Sequence, residues 1–193
     1  MDNYQSLCML MLMRLKTELE PFDRVRLHKA ALFVEVFSRS NCFKISDERL
    51  TYYSVIDNLS ELVRQYQTTH NADTEKAWEM LHNDANDRVK ESYTKSIPYI
   101  LQSAGFVNSI ADSDTLLRVS AVCGLLKHCG KATVAEIEKY FRENNDSGIM
   151  LSSKDLITTL VNLEKSGLAV KAESDYRFAD NMRDVARFVR LLY

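Results

Sequence analysis

Glycine and proline are scarce in this 193-residue chain, with five and two respectively, and all five glycines (Gly105, Gly124, Gly130, Gly148, Gly167) lie beyond residue 104. A first half with only Pro21 and Pro98 to interrupt it is predicted to be almost entirely helical. Cysteine is also sparse: Cys8, Cys42, Cys123 and Cys129 form no CxxC pair and have no histidine at zinc-finger spacing, which argues against a disulfide framework and a metal site. No apolar run is long enough to cross a bilayer. The longest, Leu7 to Met13, passes at once into Arg14, Lys16, Glu18 and Glu20 without a cleavage site, so neither a signal peptide nor a membrane span is expected. A reducing, cytoplasmic location follows from these features, and the sequons at Asn58 and Asn145 then carry no meaning.

Catalytic signatures are missing too. His28, His70, His82 and His128 are scattered, and there is no glycine-rich phosphate loop or metal-binding pair at helical spacing. Ser92-Tyr93-Thr94-Lys95 fits the bare serine-x-x-lysine pattern but lacks that hydrolase class's supporting motifs, and His128 beside Cys129 is adjacency only. A non-enzymatic protein without cofactor, metal or small-molecule substrate is expected.

The composition, 46% hydrophobic and 27% charged, is that of a globular chain. A net charge of -2 and a pI near 6.1 argue against a globally basic nucleic-acid coat. The charge is uneven: residues 115–193 hold 12 Lys and Arg against 10 Asp and Glu, whereas residues 1–114 hold 13 against 17.

In the first half, a helix from Tyr4 to Leu19 is apolar nearly all round. Such a helix is either a central core element or a surface on which Met9, Met11 and Met13 await a protein partner. A second helix, Arg24 to Arg39, carries Val25, Leu32, Phe33, Val36 and Phe37. An extended piece, Cys42 to Ile45, then leads to Ser46 as N-cap of a long helix with Tyr52, Ile56, Leu59, Val63 and Tyr66 on one stripe. Thr74 is the expected cap of a helix with Trp78, Leu81, Ala85 and Val89 inward, and Val89, Tyr93, Ile97, Ile100 and Ala104 continue at helical spacing. Pro98 should kink or restart this segment, Gly105 should end it, and Phe106 and Val107 should be extended.

The second half, from Thr115 to Asp180, reads as helix, helix, helix and two strands. Leu116, Val119, Cys123 and Leu126 form the inner stripe of the first helix, Leu116 to His128, and Val134, Ile137 and Phe141 that of the second. Thr133 with Glu136, and Ser152 with Asp155, have N-cap spacing, and Gly167 stops the third helix after Leu156, Leu160 and Leu163. Leu168 and Val170, then Tyr176 and Phe178, alternate with polar or small residues across a hairpin at Ser174-Asp175. The expected fold class is mainly α with a small β-wing: a helical domain over 1–110 and a winged helix-turn-helix with a C-terminal helix over 111–193. Residues 24–58 and 92–107 repeat the helix order of the second half, so the first domain is either a degenerate winged helix with an insertion at 67–90 or a plain helical bundle.

A DNA-reading helix of this type places its outward side chains in the major groove. Here those are Ser153, Lys154, Thr158, Thr159, Asn162 and Lys165, without the arginine that makes the commonest contact to guanine. In the wing, Lys171 and Arg177 are set against Glu173 and Asp175 at the tip. Candidate nucleic-acid contacts are thus Lys154, Thr158, Asn162, Lys165, Lys171 and Arg177. In the last helix, Asn181 to Tyr193, Arg183, Arg187 and Arg190 oppose the apolar face of Met182, Val185, Val189 and Leu192, as candidate partner-binding residues.

The segment Leu116 to Phe178, with Thr133-Val134-Ala135-Glu136-Ile137 and Leu163-Glu164-Lys165-Ser166-Gly167-Leu168, resembles winged-helix domains. The whole chain resembles the kite subunits of SMC complexes, tandem winged-helix proteins that dimerise and attach to a kleisin or an SMC head, and the small middle subunits of SMC-like or ABC-ATPase defence systems of the Lamassu type. The resemblance implies an accessory subunit of an SMC complex or an antiphage defence system, bound to an ATPase subunit or to itself, with DNA contact weak or shared. The alternative is a dimeric winged-helix transcriptional regulator.

Overall fold

A computed structural model describes residues 2–43, 53–143 and 152–179. The expectations for Ser46 as a cap, for Tyr52, and for the terminal helix with Arg183, Arg187 and Arg190 lie outside these residues. Among the described residues the chain is mainly helical, with eight helices and one three-stranded antiparallel sheet. It forms two compact units, one holding residues 2–43 and 53–108, the other 109–143 and 152–179.

The first unit contains helices α1 (Asn3–Glu18), α2 (Arg24–Ser38), α3 (Tyr53–His70), α4 (Thr74–Asp84) and α5 (Asp87–Ser109). Asp2 and Gln5 cap α1 reciprocally. Because α1 packs against α2, α3 and α4, its apolar residues are covered on every side. Met9, Met11 and Met13 are 1%, 1% and 0% exposed, which corrects the partner-surface reading of these methionines: their thioethers fill a core. Asp23 caps α2, where Phe33 meets Phe106 edge-on at 4.6 Å and stacks on Phe37 at 5.7 Å. Buried Glu35 accepts the Phe43 N–H at 2.8 Å, and Cys42 and Phe43 form a turn where an extended piece was expected.

The cap of α4 is Asp73, not Thr74, and the helix stops at Asp84, leaving Ala85 extended. Asn86 then caps α5 by accepting the Val89 N–H. The expected stops within α5 do not occur. The helix passes Pro98 and Gly105 unbroken, and Phe106 and Val107 are helical and buried. Tertiary burial outweighs local preference here: Tyr93, Ile100, Ala104 and Val107 lie on the covered side while Pro98 faces solvent. Arg26 donates to the Val107 carbonyl at 2.8 Å, satisfying an acceptor of the last turn, and Asn108 ties down the end of α1 through the Glu18 carbonyl and the Glu20 N–H. The extended piece expected at 106–107, on which the degenerate winged-helix reading of the first domain drew, is therefore absent.

A Cβ added at Gly105 would meet nothing within 4 Å, and its φ is not left-handed. Gly105→Ala should stabilise the protein by about 0.5–1 kcal/mol, read as a higher urea midpoint.

Burial depresses the His28 imidazole below its ordinary 6.5, and Asp57, with Oδ1 at 3.1 Å from Nε2, pulls it partly back. The Arg24 guanidinium in turn holds Asp57 below the usual carboxylate range. As pH falls below 6.5 the unfolded chain binds a proton that folded His28 resists, so stability is full above that value and declines towards the folded pKa. Urea titrations should show this decline as the pH falls below 6.5, and a smaller one in His28→Gln.

The second unit contains α6 (Ser113–Cys129), β1 (Lys131–Thr133), α7 (Val134–Glu143), α8 (Ser153–Lys165), β2 (Ala169–Ala172) and β3 (Asp175–Phe178). Asp112 caps α6, which starts before Leu116 and is buried along most of its length. Strand β1 was not anticipated. It pairs with β3, placing Lys131 opposite Arg177 and Ala132 opposite Tyr176, so the sheet order is β1-β3-β2. The capping pair of Thr133 and Glu136 is present, with the Glu136 N–H donating to Thr133 Oγ1 at 3.1 Å. Helix α8 ends in a Schellman arrangement: Gly167 has φ +76°, its N–H donates to the Glu164 carbonyl, and the Leu168 N–H reaches the Leu163 carbonyl.

Two details of the hairpin differ from expectation. Its loop is Glu173-Ser174, one residue earlier, with Glu173 at φ +56°. The inward residue of β2 is Ala169, whereas Val170 is exposed, because the chain leaves the Gly167 turn with Leu168 already buried and the strand alternation starts one position later.

Candidate interaction surface

Helix α8 is held from its first turn. Ser152 caps it by accepting the Asp155 N–H at 3.1 Å, and Asp155 in turn pairs with Arg118 of α6 at 3.2 Å. Leu156, Leu160 and Leu163 are buried. These anchors fix which side chains face out: Ser153, Lys154, Ile157, Thr158, Glu164 and Lys165 are exposed, with Val161 and Asn162 half-buried. Thr159, expected outward, is buried, and its hydroxyl donates back to the Asp155 carbonyl at 2.8 Å.

Ile157 is the residue that sequence reasoning missed on this face. It is 48% exposed, one turn from Lys154 and Val161. Its type alone suggested core, and only the helical phase of Leu156 and Leu160 points it outward.

On the sheet, Lys131, Val170 and Arg177 share the face opposite Tyr176, with Val170 38% exposed. Lys131 Nζ lies 3.1 Å from Asp175, so one of the two carboxylates near the hairpin tip is neutralised by a strand that the sequence did not reveal. Lys171 stands on the other face, with its ammonium 5.6 Å from the centre of the Tyr176 ring. Lys154, Lys165 and Arg177 make no hydrogen bond or ion pair with any described residue. Four cations of α8 and the hairpin are thus uncommitted to carboxylates, and Glu173 is the acid left at the tip.

The chain matches no family model, no curated protein and no solved structure. What the surface can do must then be argued from its chemistry. Cations spaced along a helix and a hairpin attract phosphate or carboxylate, and the apolar Ile157 and Val170 favour an occupant that can exclude water. Among the described residues no group of three or more His, Cys, Asp or Glu is arranged to hold a metal ion, and no helix is long and apolar enough to cross a membrane.

Proposed function

We propose that the second unit is a winged helix-turn-helix used chiefly as a protein-docking module, and that the chain is a non-enzymatic accessory subunit of a larger, SMC-like or ABC-type ATPase complex. The observation that carries this reading is Ile157, half-exposed in the middle of the α8 face between Lys154 and Lys165. In a helix that reads base edges the central outward position is usefully polar, whereas a half-exposed isoleucine one turn from Lys154 and Val161 and beside Thr158 suits a protein contact with an apolar centre and a polar rim. Nucleic acid would be held weakly, or jointly with the partner.

Ile157→Asp tests this. A residue at the centre of an interface contributes about 2 kcal/mol or more, so the variant should lose at least about tenfold of its affinity for the protein that co-purifies with the wild-type chain. Retention of that partner by Ile157→Asp, or purification of the wild type as a lone stable monomer, would sink the reading.

A specific observation favours a second reading, a dimeric DNA-binding regulator. The Lys131–Asp175 pair removes half of the acidic character of the wing, leaving Lys154, Lys165, Lys171 and Arg177 for phosphate.

A further inference from the structure

The first unit holds a cleft of about 250 Å³ between α1 and α4, lined by Met13, Arg14 and Thr17 on one side and by Glu75, Trp78 and Glu79 on the other. The positions on α4 are i, i+3 and i+4, so one helical face presents an indole beside two carboxylates. Trp78 is stacked on one side by His82, with centroids 4.9 Å apart and planes 19° from parallel, and Tyr93 lies 5.9 Å away. These contacts fix the indole in place. Glu75 and Glu79 are exposed and make no ion pair or hydrogen bond with a described residue. The one cation in the lining, Arg14, is bound to Glu18 at 2.5 Å, so it does not cancel the two free carboxylates.

A held aromatic ring and two unpaired carboxylates around a space of this size match one ligand chemistry, a compact organic cation with an apolar stem. The space is below that of a drug-sized pocket and suits a single alkyl chain with its charged head. We infer that the cleft binds an alkylammonium or alkylguanidinium group, the stem against Trp78 and the head at Glu75 and Glu79. The inference is independent of the docking surface on α8, and either can fail without the other.

Trp78 is the sole tryptophan, so the fluorescence of the full chain reports on this cleft. The intact protein is titrated at constant ionic strength with spermidine, with acetylated and amidated arginine, and with the corresponding citrulline derivative as a neutral isostere. A saturable change with at least one cation is expected, with Kd about 1 mM or lower. Citrulline should give none, and Glu75→Gln/Glu79→Gln, with its helical circular dichroism retained, should bind about tenfold more weakly. Tighter binding of spermidine would identify a free polyamine as the occupant, and tighter binding of arginine a basic side chain of a polypeptide. Because both glutamates are exposed, the variant is expected to fold; should it lose helicity, Glu79→Gln alone serves the same comparison. No saturable change with either cation, an equal response to citrulline, or undiminished binding in the folded glutamine variant would overturn the inference.

Discussion

Phe106→Ala should lower the unfolding free energy by about 3–5 kcal/mol, the largest loss expected of any single truncation considered for this chain. The ring is 2% exposed and meets both Phe33 and Phe37 edge-on, with centroids 4.6 and 5.7 Å away. Removing it forfeits the transfer energy of a buried aromatic ring and two oriented ring contacts, and it leaves a space that rigid phenylalanine neighbours fill poorly. Trp78 lies in the same unit, so its fluorescence in urea follows this transition directly. A loss under about 1 kcal/mol would be the cost of a surface side chain and would mean that Phe106 is not helical and buried as described.

Pro98→Ala should have the largest effect in the opposite direction. Proline in a helix interior lacks the N–H that would bond to the carbonyl four residues back, here Thr94, and its ring crowds that carbonyl, at a cost of about 3 kcal/mol relative to alanine. The residue is exposed, so alanine loses little packing. A gain of about 1–3 kcal/mol is therefore expected, read as a higher urea midpoint with an unchanged slope. If instead the helix were broken at Ser96, alanine would gain little, and the midpoint would not move.

Pro98 and Gly105 also mark where sequence reading fell short. Both are strong local punctuation, and the chain overrides both because the residues beyond them are needed in the core: Ile100, Ala104, Phe106 and Val107 are all at most 2% exposed. Short-range chemistry was legible where it acts through adjacent backbone. Thr133 with Glu136, Ser152 with Asp155, and Gly167 closing α8 stand as their spacing indicated. Strand β1 was not legible, since three residues with one buried side chain carry almost no periodic signal and are defined by pairing with β3, more than forty positions later in the chain.

The candidate surface divides along the same line. Lys154, Thr158, Lys165, Lys171 and Arg177 were legible as outward residues because charge and polarity resist burial. Ile157 and Val170 were not, since an apolar type says core until the phase of its element is known. The role of Lys131 in neutralising Asp175 depends on a strand pairing that no local pattern encodes. Met9, Met11 and Met13 admitted two readings in sequence, core or adaptable partner surface, and their packing decides for core.

The central claim is that the α8 face docks protein and holds nucleic acid only weakly. It is tested most directly by the anisotropy of labelled duplexes, random and from the source genome, titrated with the intact chain at several salt concentrations. The account predicts Kd values of about 10⁻⁴–10⁻⁶ M at physiological salt, alike for all sequences. A complex of about 10⁻⁸ M or tighter on one sequence, weakened by Lys154→Ala or Lys165→Ala, would contradict it and establish the regulator instead.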